Sequence, residues 1–412
     1  MKKLQVEGWK VEKLGDVVEF QRGLTYSKKD EVAESSNVVL RANNVDLNTN
    51  TLDFTELKYI KESIEIPKEK IVTKGSLIIC TASGSKSHLG KVALIDDNYG
   101  YAFGGFMGQI TPKQNLDSKF LFYRMISDEY KDFISKLSDG ANINNLRFND
   151  LAEFEIPIPH LPEQQRIVSL LDETFAGLAQ VHANAERNLV NAREVFEAAV
   201  EETFEGKANK KWQEKNFGDM FDIKHGFAFK SQYFSNKGKY VVLTPGNFYE
   251  EGGYRDRGEK TKYYKGEIPK DYILNEGDLL IAMTEQAAGL LGSPIIVPEP
   301  DKFLHNQRLG LIIYRNKDEI DARYLFHLFN TKRIRHLIHE SASGVKVRHT
   351  SPTKVMMLNA HIPPLEEQRA IVKRLDALAA ETSRLEAVYQ SKLEAVEELR
   401  KSVLGKAFEG EL

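Results

Sequence analysis

The stretch Gly84-Ser85-Lys86-Ser87-His88-Leu89-Gly90-Lys91 comes nearest to a chemical signature in these 412 residues. A glycine-rich loop cradles phosphates with its backbone N–H groups when a lysine and a magnesium-holding hydroxyl complete it. Here five residues rather than four separate the two glycines, and Val92 follows Lys91 where Ser or Thr is required. The loop is not a phosphate cradle. No HExxH pair, nucleophile elbow or dinucleotide fingerprint occurs in the sequence. Ile362-Pro363-Pro364 has no Asn or Asp ahead of its prolines, so it is not the catalytic tetrapeptide of an adenine methyltransferase. Ten histidines lie scattered without metal-ligand spacing, and the single cysteine, Cys80, can build neither a cysteine metal site nor an internal disulfide. The expectation is a chain with no active site, metal or cofactor of its own.

What remains is recognition chemistry. Arg, Asn and Gln present paired hydrogen-bonding groups in one plane, and Lys offers a point charge to an anion. The planar candidates are Arg41, Asn43, Asn142, Asn144, Arg147, Gln286, Arg308 and Arg348; the cationic ones are Lys86, Lys91, Lys224, Lys230 and Lys346. One such residue alone is ordinary loop polarity. These fall in matched segments, however: GLTYSKK from Gly23 with GFAFKSQ from Gly226, LRANNV from Leu40 with LTPGNF from Leu243, CTASGSKSHLGK from Cys80 with AMTEQAAGLLGS from Ala282, and GANINNLR from Gly140 with GVKVRHTS from Gly344.

The matching follows from a chain written twice. LPEQQRIV from Leu161 recurs as LEEQRAIV from Leu365, and Glu163, Gln164, Ile167, Leu171 and Asp172 all return at an offset of 204 residues. Trp9, Gly15, Asp16 and Gly23 return as Trp212, Gly218, Asp219 and Gly226, and the Phe-Glu-Gly at Phe204 returns at Phe408. Each copy begins with short β-branched and aromatic runs punctuated by Gly, Asn and Asp, which predicts a strand-rich globule with a few helices such as 119–137 and 323–340. Each copy ends in a proline-free segment, 163–205 and 365–409, which predicts a long helix. Prolines 157, 159, 162, 363 and 364 fence the helix starts, acidic residues suit the first turns, and Gly206 and Gly410 suit the C-terminal caps. PHLPE offers no evident side-chain N-cap.

Along the first helix Ile167, Leu171, Thr174, Leu178, Val181, Ala185, Leu189, Ala192, Val195 and Ala199 are spaced only by threes and fours. The second helix carries the same stripe 204 residues on, at Ile371, Leu375, Leu378, Thr382, Leu385, Tyr389, Leu393, Val396, Leu399 and Val403. One narrow apolar seam with charge on the other faces predicts a coiled coil. Because the second globule begins only a few residues after the first helix ends, a helix returning along it must run antiparallel. The expected fold is α+β: two homologous strand-rich globules separated by an antiparallel helix pair, in a pseudo-two-fold, near-circular arrangement that brings Leu412 back toward Met1. Expected boundaries are 1–158, 159–206, 207–362 and 363–412.

Net charge is −3, but it is unevenly spread. Residues 161–206 hold nine acidic against three basic side chains and 365–410 nine against eight, which leaves the globules net positive. No apolar run approaches a membrane span, MKKLQVEGWK lacks the apolar core of a signal peptide, and a lone cysteine suits a reducing, cytoplasmic address.

Two sibling heads joined by a rod suit a target that repeats at a fixed spacing, and duplex DNA is one, with half-sites about 34 Å apart per helical turn. Arg then reads guanine, Asn or Gln reads adenine, and Lys contacts phosphate. A structural adaptor whose paired globules hold protein or glycan ligands is the alternative reading. The duplication, the PxxEQ-type phrases at Pro159 to Gln164 and Pro364 to Gln368, and the paired Gly-Asp and Gly openings resemble specificity subunits of type I restriction-modification systems. His160-Leu161-Pro162 departs from Pro364-Leu365-Glu366 at the helix start. The resemblance implies two target-recognition domains, one per half of a bipartite double-stranded DNA site. It also implies helices that hold two methylation subunits using S-adenosylmethionine, and restriction subunits using ATP and Mg2+.

Overall fold

The computed structural model describes residues 8–84, 88–139, 145–205, 212–285, 289–344 and 347–412. It divides into two compact units, Met1–Glu186 with Gln390–Leu412, and Arg187–Tyr389. Each unit therefore holds one globule, the first part of the helix that leaves it and the last part of the other helix.

In the first globule an antiparallel sheet runs in the order Val18–Arg22, Met107–Pro112, Leu77–Cys80, Val92–Leu94. The strand Leu77–Cys80 is buried on both faces and its side chains alternate between two cores. Leu77 and Ile79 face a core shared with Phe120, Leu121 and Ile167, while Ile78 and Cys80 face Leu40, Val45 and Phe103. A second small sheet, Glu31–Val32, Lys58–Ile60, Asn37–Leu40, Ala102–Phe103, covers that other side. The second globule repeats both sheets, with Leu279–Ala282 as the doubly buried strand. Leu279 and Ile281 join one core there, and Leu280 and Ala282 join the other. Each globule is closed by its own ends: Lys10–Lys13 pairs with Glu155–Ile158, and Gln213–Asn216 pairs with Asn359–Ile362.

The single helices expected over 119–137 and 323–340 are each broken in two, as Ser118–Arg124 with Asp128–Asp139 and Ala322–Phe329 with Lys332–Ser341. A hydroxyl causes the break. Ser127 Oγ donates to Arg124 O (2.8 Å) and accepts from Tyr130 N (3.3 Å), ending one helix and capping the next. Thr331 Oγ1 does the same with Leu328 O (2.8 Å) and Ile334 N (3.3 Å).

The long helices are Leu161–Glu205 and Leu365–Glu409, 45 residues each, or roughly 67 Å at ~1.5 Å per residue. The first does have a side-chain cap, since His160 Nδ1 accepts from Glu163 N (3.3 Å). Gly410 adopts φ 73°, the left-handed conformation of a C-terminal cap, and Glu411 N closes the turn on Lys406 O (3.0 Å). Gly206 lies outside the described residues.

The repeated Glu-Gln phrase has a mechanical explanation. Gln164 is fully buried; its Oε1 accepts from Asp117 N (2.8 Å), and its Nε2 donates to Asn115 O (3.0 Å) and Pro159 O (2.9 Å). Gln368 makes the same three bonds with Asp321 N (2.9 Å), Glu319 O (2.9 Å) and Pro363 O (2.9 Å). In both units the bonded aspartate is the N-cap of the helix that packs on the sheet. One glutamine thus joins the long-helix start, the chain leading into it and the globule. Two turns further on a second fastening follows. Asp172 accepts from Lys119 Nζ and Tyr123 Oη (both 2.6 Å), while Asp376 accepts from Arg323 Nε (2.6 Å) and Nη2 (2.8 Å) and from His327 Nε2 (2.9 Å).

Within each unit the two helical segments run antiparallel, as expected. In the first, Arg166 Nη2 reaches Leu412 O (2.6 Å) and the Arg400 guanidinium lies over Phe175 (5.2 Å). In the second, Arg374 bonds Thr203 (2.7 Å) and Arg193 pairs with Glu386 (3.3 Å). The repeated phenylalanine anchors these ends: Phe408 packs edge-on to Phe120, and Phe204 lies 5.3 Å from Tyr324. Leu412 and Trp9 both pack against the first unit's core.

The seam is largely as expected, with three corrections. Ile167, Leu171, Leu375 and Val396 are buried, and Leu178, Leu189, Ile371, Leu378, Leu385, Tyr389 and Leu393 are half-buried. Val181, Val195 and Leu399 instead face solvent, 47%, 57% and 49% exposed. At these steps the buried stripe advances by four rather than three, turning His182, Phe196 and Arg400 inward. A stripe chosen for apolar residues alone favours valine over histidine, although the helix phase decides which side chain faces in.

Candidate nucleic-acid interface

The matched loop segments converge on one place in each globule, a tight turn that carries the chain from the small sheet to the larger one. In the first globule the tip is Gly104-Gly105-Phe106, between the strands Ala102–Phe103 and Met107–Pro112. Leu24 N, in the first segment, donates to Phe103 O (2.7 Å), and Gly104 N donates to Leu40 O (2.9 Å) in the second. Thr81 N and Ala82 N, in the third, donate to Phe106 O (2.9 and 3.2 Å). Leu146 N, in the fourth, donates to Thr81 O (2.6 Å). The second globule repeats the arrangement around Asn306-Gln307-Arg308. Phe227 N donates to His305 O (2.8 Å), Met283 N to Arg308 O (2.9 Å) and Thr350 N to Met283 O (3.0 Å).

The recurring glycine of the first segment is required by this packing. A Cβ on Gly23 would sit 2.0 Å from Gly104 O, and one on Gly226 would sit 2.1 Å from Asn306 O. Only a residue without a side chain lets the two backbones approach so closely.

Beside the first tip lies a cleft of about 600 Å3, lined by residues of the first three segments together with Gly104, Gly105 and Phe106. Arg41 stands in its wall, with a buried Nε that has no hydrogen-bond partner among the described residues. Asn43 and Lys28 are exposed at its rim, and the cleft's one carboxylate, Glu31, is neutralised by Lys58 (2.8 Å). A Lys58 hydrogen bond holds the Glu31 carboxyl below its ordinary range. Polar groups able to donate in pairs thus surround a rigid, exposed turn.

The other sequence candidates separate into surface and structural roles. Arg147, Lys230 and Arg308 are exposed. Lys91 is not a surface cation: it is buried, its ammonium donates to Val45 O (2.6 Å), and burial lowers its pKa. Lys224 is held by Asp271 O (2.8 Å) over the Tyr272 ring (4.7 Å). Arg348 donates to His339 O (2.7 Å), and His339 in turn meets the buried Glu285 (3.0 Å). The second oxygen of Glu285 accepts from Gly289 N (3.1 Å) and Leu291 N (3.0 Å), so this network ties two loops together. Lys86, Asn142, Asn144, Gln286 and Lys346 lie outside the described residues.

Two residues were missed in the sequence. Phe106 is 73% exposed at the hub of the loops, yet an aromatic ring does not register as a polar reader. Arg257 lays its guanidinium against Gly246, the residue matched to Asn43, with Nη1 3.0 Å from where a Cβ would be. The loop that carries it has no close counterpart in the first copy's sequence, so the repeat did not point to it.

A pair of alike heads, each with its loops gathered on a pinned turn and each fastened to a long helix, defines a duplicated recognition protein. The chain belongs to the family described as the type I restriction modification DNA specificity domain, whose model matches residues 6–190 and again 209–395. It is 30% identical to the type I restriction enzyme StySPI specificity subunit of Salmonella potsdam, over 98% of this chain and 89% of that protein. The EcoKI specificity subunit of Escherichia coli K12 is 28% identical over the same shares. The fold matches a chain of a solved type I restriction-modification assembly, with TM-score 0.78, 19% identity and 99% of both chains covered. It also matches the HsdS subunit of Thermoanaerobacter tengcongensis, with TM-score 0.63, 18% identity and 98% of both. The expected resemblance holds over the whole chain, and the adaptor alternative finds no support.

Proposed function

We propose that this chain is the non-catalytic, sequence-reading subunit of a type I restriction-modification complex, in which each globule reads one half of a bipartite double-stranded DNA site. The observation that carries the reading is the convergence of the same four loops on the same pinned turn in both copies, with different side chains displayed there. A common framework with exchanged side chains suits two half-sites of different sequence.

The long helices supply the remaining parts. They hold two methylation subunits that use S-adenosylmethionine, restriction subunits that use ATP and Mg2+ join these, and the helix length sets the number of unread base pairs between half-sites. The complex works in the cytoplasm. Among the described residues no helix is long and apolar enough to cross a membrane. In this reading residues 1–158 and 207–362 are the recognition globules and 159–206 and 363–412 the spacer helices.

Binding of the assembled complex to duplex DNA at two salt concentrations tests the reading, because phosphate contacts make affinity fall steeply with salt. Salt-insensitive or absent binding refutes it. Removing matched heptads from both helices is expected to shorten the unread gap and leave both half-sites intact. Altered half-sites with an unaltered gap would refute the spacer role.

A further inference from the structure

The turn between the two sheets offers one side chain at the centre of each set of loops, and the two copies differ there in kind. Phe106 and Arg308 occupy the same place: each carbonyl accepts from the backbone N–H of the doubly buried strand's end, Thr81 or Met283 (2.9 Å in both). Each tip is closed by the same turn, Met107 N to Gly104 O (2.8 Å) and Leu309 N to Asn306 O (3.0 Å). Both side chains point to solvent from a backbone held on three sides. Phe106 is, among the described residues, the most exposed large apolar side chain. Isolated exposed apolar residues are common and need no explanation. This one stands where the matched copy carries an arginine, on the rim of the cleft that holds Arg41 and Asn43.

Resting on the DNA-reading function above, we infer that residues 106 and 308 are a matched pair of base-reading positions. Phe106 packs on the 5-methyl group of a thymine in one half-site, and Arg308 places its guanidinium on O6 and N7 of a guanine in the other. The chemistry follows from what a duplex displays in its major groove. Thymine alone offers an apolar group there, and guanine offers two adjacent acceptors that fit the arginine fork. A phosphate has nothing for a phenyl ring, so Phe106 suits a base edge rather than a phosphate. Gly104 and Gly105, without side chains, leave the ring's approach unobstructed.

The assembled complex with its methylation subunits provides the test, through mapping of methylated sites and competition binding. Phe106→Ala is expected to relax one T·A pair of the first half-site while the gap and the second half-site stay unchanged. Phe106→Leu, which keeps an apolar surface, retains the preference, and Phe106→Arg moves it toward guanine. Deoxyuridine in place of that thymine removes only the methyl group and should weaken wild-type binding about 4-fold, and Phe106→Ala binding not at all. Arg308→Ala should reduce discrimination at one G·C pair of the second half-site by roughly 5- to 150-fold. Both residues are exposed, so an unchanged melting transition shows that each variant folds. If Phe106→Ala and Arg308→Ala methylate the wild-type sequence with undiminished selectivity, the assignment is wrong while the DNA-reading function stands. A wild-type complex that shows no sequence preference overturns both.

Discussion

Replacing Gln368 with leucine removes the amide that joins the second long helix to its globule while keeping an apolar side chain of similar bulk. Three backbone groups lose their partner: Asp321 N, Glu319 O and Pro363 O. Glu319 is exposed, so its carbonyl can recover a water. The other two stay largely dry, and each unsatisfied group costs about 1–3 kcal/mol, which puts the loss at about 2–6 kcal/mol. The damage is local before it is global, because Asp321 is the N-cap of helix Ala322–Phe329 and Gln368 holds its backbone in place. Native-state hydrogen exchange should show the Asp321 amide losing most of its protection, together with the first turn of that helix. The Asp117 amide, bonded to Gln164 in the other unit, should keep its protection. Gln164→Leu should give the mirror result. If Gln368→Leu costs under about 1 kcal/mol in denaturant unfolding, or Asp321 exchanges as before, then the repeated Glu-Gln phrase is not the fastening described above.

Other outcomes follow from the same contacts. His305 is fully buried, with Nε2 on Leu309 O (2.9 Å), and burial lowers its pKa to about 4. The unfolded chain takes up this proton first as pH falls, so stability is lost from about pH 6.5 down to about pH 4, by roughly 3 kcal/mol. Installing at 305 the phenylalanine that the first globule carries at the matched position 103 should flatten this part of the pH-stability curve; a curve of unchanged slope would exclude His305 as its source. Lys91→Met should cost about 1–3 kcal/mol by stranding Val45 O, with no effect on the salt dependence of DNA binding. Arg147→Ala or Lys230→Ala, by contrast, should reduce the salt slope by about 1 for a phosphate contact. For the helix seam, Val181→Lys and Val195→Lys should change stability by no more than about 0.5 kcal/mol. Ala192→Lys, at a buried position, should cost about 1–3 kcal/mol, and equal effects would mean the stripe has the phase first read from the sequence.

The sequence determined everything that depends on period and repetition. An offset of 204 residues announced two copies of one unit, and proline-free segments announced the long helices. These features are local or self-similar, so one chain displays them without its fold. The tertiary structure decided which equivalent residues do equivalent work. Gln164 and Gln368 were legible as a repeated pair, but their role depends on carbonyls and amides some fifty residues away in sequence. Lys91 looked like a phosphate contact because it closes a polar, glycine-containing loop segment, and the fold instead buries it, with its ammonium on Val45 O. Val181 and Val195 looked like seam residues because they are apolar, and the accumulated phase of the helix turned them out. Phe106 could not be recognised at all until the turn showed it in the position that Arg308 holds in the other copy. Side-chain type is written in the sequence, but the direction in which a side chain points is set by backbones that meet only in the folded chain.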